Sequence, residues 1–161
     1  MAKTATSTGA EASDEARLEE AATIVSRYAA ASAAVGFVPM PLVDMAAISA
    51  LQTKMIHSLS NLYGVPFSSQ FAKACLASLT GSVAADGIGR VGLGSLLKMV
   101  PVVGHLASAL ALPGVAWAAT STVGQIFTQH FESGGDLLNL NLKVWRPVYQ
   151  EGVDTAAKEA A

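Results

Sequence analysis

Asp44 and Asp86 are the only acids between residues 21 and 131, so any proton, ion or ligand chemistry in that stretch falls first to them. An ionised carboxylate in apolar surroundings is costly and often marks an ion path or a ligand site. Asp44, however, stands three residues after Pro41, a residue suited to the first turn of a helix. A carboxylate there is favoured by N–H groups that have no partner inside the helix. Asp86 precedes Arg90 by four residues, the spacing of an ion pair along one helix. Both acids therefore read as structural, with a channel or carrier that places Asp44 and Asp86 in a polar path as an alternative.

The other reactive side chains do not assemble into a signature. His57, His105 and His130 are far apart and lack the close spacing of metal ligands. The lone cysteine, Cys75, leaves no internal disulfide and reads as a small buried hydrophobe in a reducing compartment. Serines are plentiful, but none sits in a G-x-S-x-G elbow. Residues 87–92 spell G-x-G-x-x-G. That string binds dinucleotides only after a strand and with an acid about 20 residues on. Here the preceding residues are helical in pattern, and no Asp or Glu occurs between Asp86 and Glu132. A kink or a packing site is the better reading of these glycines. No G-x-x-x-x-G-K-[ST] phosphate loop is present. An acidic pI of about 5.9 and scattered lysines argue against nucleic acid as a partner. The sequence thus predicts no enzymatic activity, no cofactor and no metal.

The elements that carry these residues are poor in charge. Residues 21–131 hold five basic and two acidic side chains, net +3, whereas 1–20 carry −3 and 132–161 carry −2. Met99 to Phe131 contains no Asp, Glu, Lys or Arg. The chain is 52% hydrophobic but only 6% aromatic, with mean hydropathy +0.43. Its apolar mass is mostly Ala, Val and Leu among Gly and Ser, residues that let helix backbones approach closely. Such a chain either buries nearly everything in itself or uses lipid as solvent. At 161 residues it is long enough for one domain with a real core.

Periodicity predicts helices. Residues 1–13 read as a disordered acidic tail. From Asp14 the spacing of Leu18, Ala22, Val25, Ala29 and Ala33 marks one helical face, which stops before Gly36 and Pro39. A second helix runs from Pro41 to Tyr63, with Gly64 and Pro66 as stop signals and Ile48, Leu51, Met55, Leu59 and Leu62 as its apolar stripe. A third begins near Ser68 or Ser69, and its Ala77, Gly81, Ala85 and Gly89 form a small-residue ladder for a close neighbour helix. The block 102–131 is expected to break at Pro113 and Gly114 into pieces too short to span a bilayer cleanly, favouring kinked or re-entrant hairpins. Residues 136–150 alternate Leu138, Asn139, Leu140, Asn141, Leu142, Lys143 and Val144, a period-two pattern that predicts an extended segment. Residues 151–161 read as a frayed tail, leaving 14–135 as the helical domain.

One run of residues is recognisable. Pro39, Pro41, Asp44, Gln52, Met55, Tyr63 and Gly64 spell P-x-P-x-x-D-x7-Q-x2-M-x7-Y-G. Lys98, Pro101 and Gly104 follow at spacing three, then Thr120-x3-Gly124, then His130, Phe131, Glu132, Gly134 and Gly135. Over about residues 22–140 this resembles the bacterial YcjF-related domain family of unknown function. The resemblance implies a helical, membrane-associated module that often follows an Era-like GTPase domain and also occurs alone. It carries over no catalytic residue. It implies a GTPase acting in trans as a possible partner, since this chain has no phosphate loop.

The expectation is an all-α protein of helical hairpins or a bundle, membrane-embedded through kinked apolar helices, with a short extended C-terminal segment. Its role is anchoring or assembly at the bacterial cytoplasmic membrane, with membrane lipid and a second copy of itself as partners. Both termini are expected in the cytoplasm, because no signal peptide is evident and the hairpins are even in number. A soluble helical interaction domain that hides its apolar faces in an oligomer is the other alternative.

Overall fold

The computed structural model describes the backbone of residues 4–37, 41–91 and 105–159, and the side chains of 11–37, 46–81 and 113–159. Within these residues the secondary structure is helical, with no strand. The helices are α1 (Thr4–Val35), α2 (Pro41–Tyr63), α3 (Ser69–Val91), α4 (His105–Glu132) and α5 (Leu142–Glu159). No helix among the described residues is long and apolar enough to cross a membrane. The expected membrane embedding therefore has no support from the described helices.

Helix α4 is the hub, packing against α1, α2 and α5, while α2 and α5 also flank α3. The pairs Arg17–Glu132, Val25–Gly124 and Ser32–Thr120 show that α1 runs antiparallel to α4. Gln52 meets Thr120 and Tyr63 meets Phe131, so α2 runs parallel to α4. The core is built on α4 residues Val123, Ile126, Phe127 and Phe131, against Met55, Ile56 and Leu59 of α2 and Ala72, Leu76 and Leu79 of α3. On α1 the buried face is Ala21, Val25, Ala29 and Ser32. Of the expected stripe Val25 and Ala29 are buried, whereas Ala22 is exposed and Leu18 is 42% exposed. Small residues set the facing, because a Cβ at Gly124 would lie 2.5 Å from Val25 Cγ2.

Three expected boundaries are corrected. Helix α1 begins at Thr4, not at Asp14. Residues 4–13 hold three Ala among six Thr, Ser and Gly, so their own propensity is low. They extend a helix already nucleated beyond Asp14, where each added residue gains a hydrogen bond without a new nucleus. Helix α4 runs through Pro113 without ending. Proline removes one N–H, the one that would reach Ala109, and clashes within the turn, but Pro113 is buried and the packed helix holds.

The third correction concerns the period-two segment, which is a turn followed by α5. The Asp136 carboxylate accepts the N–H groups of Leu138 at 2.8 Å and Asn139 at 3.0 Å, while Asn139 Oδ1 accepts from Asp136 N–H. Asn141 Oδ1 then accepts from Lys143 N–H at 3.2 Å and caps α5. The asparagines are turn and cap residues, and Leu137 and Leu140 are the buried pair. The expected frayed tail belongs to the same helix, which continues to Glu159 with Trp145, Tyr149 and Val153 turned to the core.

Both α2 and α4 end in a glycine with positive φ. After α2, Gly64 (φ 66°) lets its own N–H reach Asn61 O and lets Val65 N–H reach Ser60 O. After α4, Gly134 (φ 82°) does the same with Phe131 O, and Gly135 N–H with His130 O. These paired bonds satisfy carbonyls that the helix leaves open.

A Cβ at Gly64 meets nothing within 4 Å, so Gly64→Ala tests conformation alone. We expect it to destabilise by about 1 kcal/mol in chemical denaturation. Gly81 lies inside α3 with equally open surroundings and without positive φ. Gly81→Ala is expected to stabilise by about 0.5–1 kcal/mol in the same measurement.

Candidate functional site

Five of the motif residues, Gln52, Met55, Tyr63, Thr120 and Phe131, lie along the α2–α4 seam. Gln52 and Tyr63 are separated by the same number of positions as Thr120 and Phe131, about three turns of helix, so both pairs lie on one face. At one end of this face Gln52 Nε2 donates to Thr120 Oγ1 at 3.3 Å. Thr120 Oγ1 donates to Ser32 Oγ at 2.9 Å, and Ser32 Oγ donates to Tyr28 O at 3.0 Å. Gln52, Thr120 and Ser32 are all buried, at 3%, 0% and 0% exposure. This is a directed chain of hydrogen bonds joining α2, α4 and α1 through the core. Met55, one turn on from Gln52, is fully buried beside it in the hydrophobic cluster.

At the other end a polar and aromatic cluster forms around Arg17. Its Nη2 lies 2.8 Å from Asp14 Oδ1 and 3.3 Å from Glu132 Oε1. Its guanidinium carbon lies 5.2 Å from the centre of the Tyr63 ring. Tyr63 stacks obliquely on Phe131 at 6.0 Å, and Phe131 on Phe127 at 5.7 Å. Burial and then the neighbouring Glu132 carboxylate push the Tyr63 hydroxyl up to about 12. The hydrogen bond from Arg17 to Glu132 raises the arginine further above its usual range. Both carboxylates are partly exposed, so the ion pairs contribute modestly and mainly orient the cluster. His130 folds back so that Nε2 lies 2.8 Å from Asp136 O. A Cβ at Gly135 would run into that ring, which is why glycine stands there.

The remaining candidates fall elsewhere. His57 stacks on Phe67 at 4.5 Å, distant from His130 in the chain. Cys75 is buried, with Sγ 3.8 Å from Leu137 O, and burial pushes its thiol up. Ala77 and Gly81 are exposed on α3, and among the described residues nothing comes within 4 Å of a Cβ at Gly81. The backbone at Gly87–Val91 is helical and continues a helix rather than a strand. Pro41, Asp44, Ala85, Asp86 and Gly89 lie in helices, but their side chains fall outside the described residues. Pro39, Lys98, Pro101 and Gly104 lie outside them entirely. Among the described residues no three His, Cys, Asp or Glu converge as metal ligands.

Two open grooves flank Trp117, Ser121 and Gln125 of α4. One, about 460 Å³, lies against α5 at Gly152 and Thr155; the other, about 420 Å³, lies against α1 at Leu18, Ala22 and Ser26. Glu159 is the one charged residue among the described residues lining either. The described residues offer surfaces and a braced core. Sequence reasoning missed Arg17, Ser32 and Tyr28, which lie outside the motif runs. It did have Thr120 and Glu132 in those runs, without their partners.

Thr120→Val keeps the shape but strands the Gln52 amide and removes the donor to Ser32. We expect a loss of about 1–3 kcal/mol in denaturant unfolding. Replacing the set together, Gln52→Leu with Ser32→Ala and Thr120→Val, should cost less than the sum of the single changes. Tyr149 is pushed up to about 12 by burial. Its folded value lies above the ordinary 10, so the stability it adds is complete below pH 10 and is lost as pH rises toward 12. Unfolding measured across that window should show a decline on the order of 2 kcal/mol, diminished in Tyr149→Phe.

Comparison with known proteins places this helical module in a family. The domain of unknown function DUF697 matches residues 2–158. The chain is similar to a protein named magnetosome membrane protein 22 from Magnetospirillum gryphiswaldense (strain DSM 6361 / JCM 21280 / NBRC 15271 / MSR-1). The two are 38% identical over 138 residues, which cover 86% of this chain and 71% of the relative. No solved structure matches the chain. The chain belongs to the DUF697 family, whose function is unknown.

Proposed function

We propose that this chain is a non-enzymatic, membrane-associated assembly module. The observation that carries the reading is its 38% identity, over 86% of its length, to a relative named as a magnetosome membrane protein. The described helices do not supply a span. The membrane contact is therefore assigned to the sequence Met99–Leu112, which has no Asp, Glu, Lys or Arg. At 14 residues it is shorter than the roughly 20 needed to cross as a helix. The bundle then stands at the membrane and presents its surfaces to partners. A second copy is one such partner. A GTPase in trans is another, supported by the resemblance to a family that often follows GTPase domains.

A second reading draws on the large hydrophobics exposed on the described helices, Leu18, Phe71 and Trp117 among them: the chain is a helical interaction domain that closes such faces in an oligomer.

Carbonate washing of membranes from cells expressing the chain separates the two. Under the first reading the protein stays in the pellet and leaves only with detergent. The double change Val102→Glu and Val103→Glu should release it while its helical circular dichroism is retained. Release of the unaltered chain by carbonate would overturn the first reading, and an oligomer of defined mass in light scattering would then support the second.

A further inference from the structure

The groove between α1 and α4 carries one large exposed apolar side chain at each end. Leu18 of α1 and Trp117 of α4 both line it and are 42% and 49% exposed. The pairs Arg17–Glu132 and Val25–Gly124 set Leu18 level with Phe131 of α4. Leu18 and Trp117 therefore stand roughly 20 Å apart along the helices. Between them the lining is small or neutral, with Ala22 and Ser26 on α1 and Ser121 and Gln125 on α4. Gln125 is exposed and lies close to the midpoint.

The charge bordering this groove gathers at the Leu18 end. Glu15 and Glu19 are exposed, and each precedes a lining residue, Ala22 or Ser26, by seven positions, which puts both on the groove's α1 edge. Glu132, held by Arg17, stands at the same end of α4. Toward the Trp117 end, Ala30 and Ala33 of α1 and Gly114 and Ala118 of α4 carry no charge. Glu159 lines the other groove, on the α5 side of α4.

We propose that this groove is the contact with a second copy of the chain, related by a two-fold axis that lies in the contact plane and crosses the groove at its middle. The proposal rests on the assembly reading above, which includes a second copy without assigning it a surface. Such an axis reverses the groove end for end. Leu18 of each copy then lies beside Trp117 of the other, so one apolar contact is made twice. The Gln125 side chains of the two copies face each other near the axis. A carboxamide is donor and acceptor at once, so that pair is self-complementary. Glu15 and Glu19 are carried to opposite ends, roughly 20 Å or more from their counterparts and beyond the screening length of about 10 Å. An anionic lipid surface is the poorer occupant, because Glu15 and Glu19 would meet its phosphates.

The test is the mass of the full chain in mild detergent, measured by light scattering over a concentration series. The unaltered chain should form a dimer. Gln125→Glu and Gln125→Lys, at an exposed position, should keep their helical circular dichroism and each weaken association on the order of tenfold or more. Mixing the two variants should restore the dimer, because only the mixed pair sets unlike charges face to face across the axis. An unaltered chain that stays monomeric would overturn the proposal. So would single variants that associate as tightly as the unaltered chain, or a mixture that stays dissociated. Trp117→Ser that loses binding to phosphatidylcholine vesicles while its mass is unchanged would give the groove to lipid and also overturn it. A chain that resists carbonate but is a monomer in detergent overturns this contact alone. A chain that washes off in carbonate yet shows the mixed-pair rescue overturns the membrane reading alone.

Discussion

The structure depends on the parallel seam between α2 and α4. It is held at two levels about three turns apart, by the Gln52–Thr120 bond and by the Tyr63–Phe131 contact. A slide of either helix by one turn would break both together. The apolar side chains between them would tolerate such a slide more readily, because Val, Ile and Leu have no directional partners. Extending the polar chain to Ser32 adds α1 to the same register. Burying four polar groups adds little net stability, but leaving any one unpaired is costly. The seam therefore selects one arrangement from many of similar hydrophobic content. Glycine at 124 then lets Val25 of α1 approach the α4 backbone, and Gly152 lets α5 approach Thr122 from the other side.

That arrangement also accounts for much of the charge-free stretch from Met99 to Phe131. Its second part lies in α4, which has helices on several sides. Ala116, Thr120, Val123, Ile126, Phe127 and Phe131 are buried, and a charge at those positions would have to be desolvated without a partner. Protein burial is sufficient reason for their lack of charge. Lipid is not needed to explain the composition of that part.

The sequence was most legible where local chemistry decides the outcome. Helix α2 begins at Pro41 and stops at Tyr63 because proline and glycine punctuate the chain whatever packs around it. Cys75 is buried, as its small apolar character implies. The motif runs contained Gln52, Tyr63, Thr120 and Phe131, but their juxtaposition is long-range and no local pattern encodes it. Arg17 and Glu132 lie at opposite ends of the chain, so neither signals the other. The α1 stripe was right at Val25 and Ala29 and missed Ala21 and Ser32, because small residues on several sides of an alanine-rich helix leave its buried face weakly marked. Pro113 misled because tertiary packing outweighs the cost of one proline. In Leu137–Val144, alternation imitated a strand because turn and cap asparagines happen to fall between leucines.

The parallel course of α2 and α4 has an electrostatic consequence. Two helices that point the same way bring their partial charges together like with like, and their C-terminal ends, at Tyr63 and Glu132, both gather at one end of the bundle. Each end carries roughly half a negative charge from its carbonyls. The Arg17 guanidinium stands beside both, against the Tyr63 ring and the Glu132 carboxylate. A single cation from the antiparallel α1 thus stands where two helix termini and the Asp14 and Glu132 carboxylates all gather negative charge. The bundle gains from that helix a balance of field as well as a packing surface.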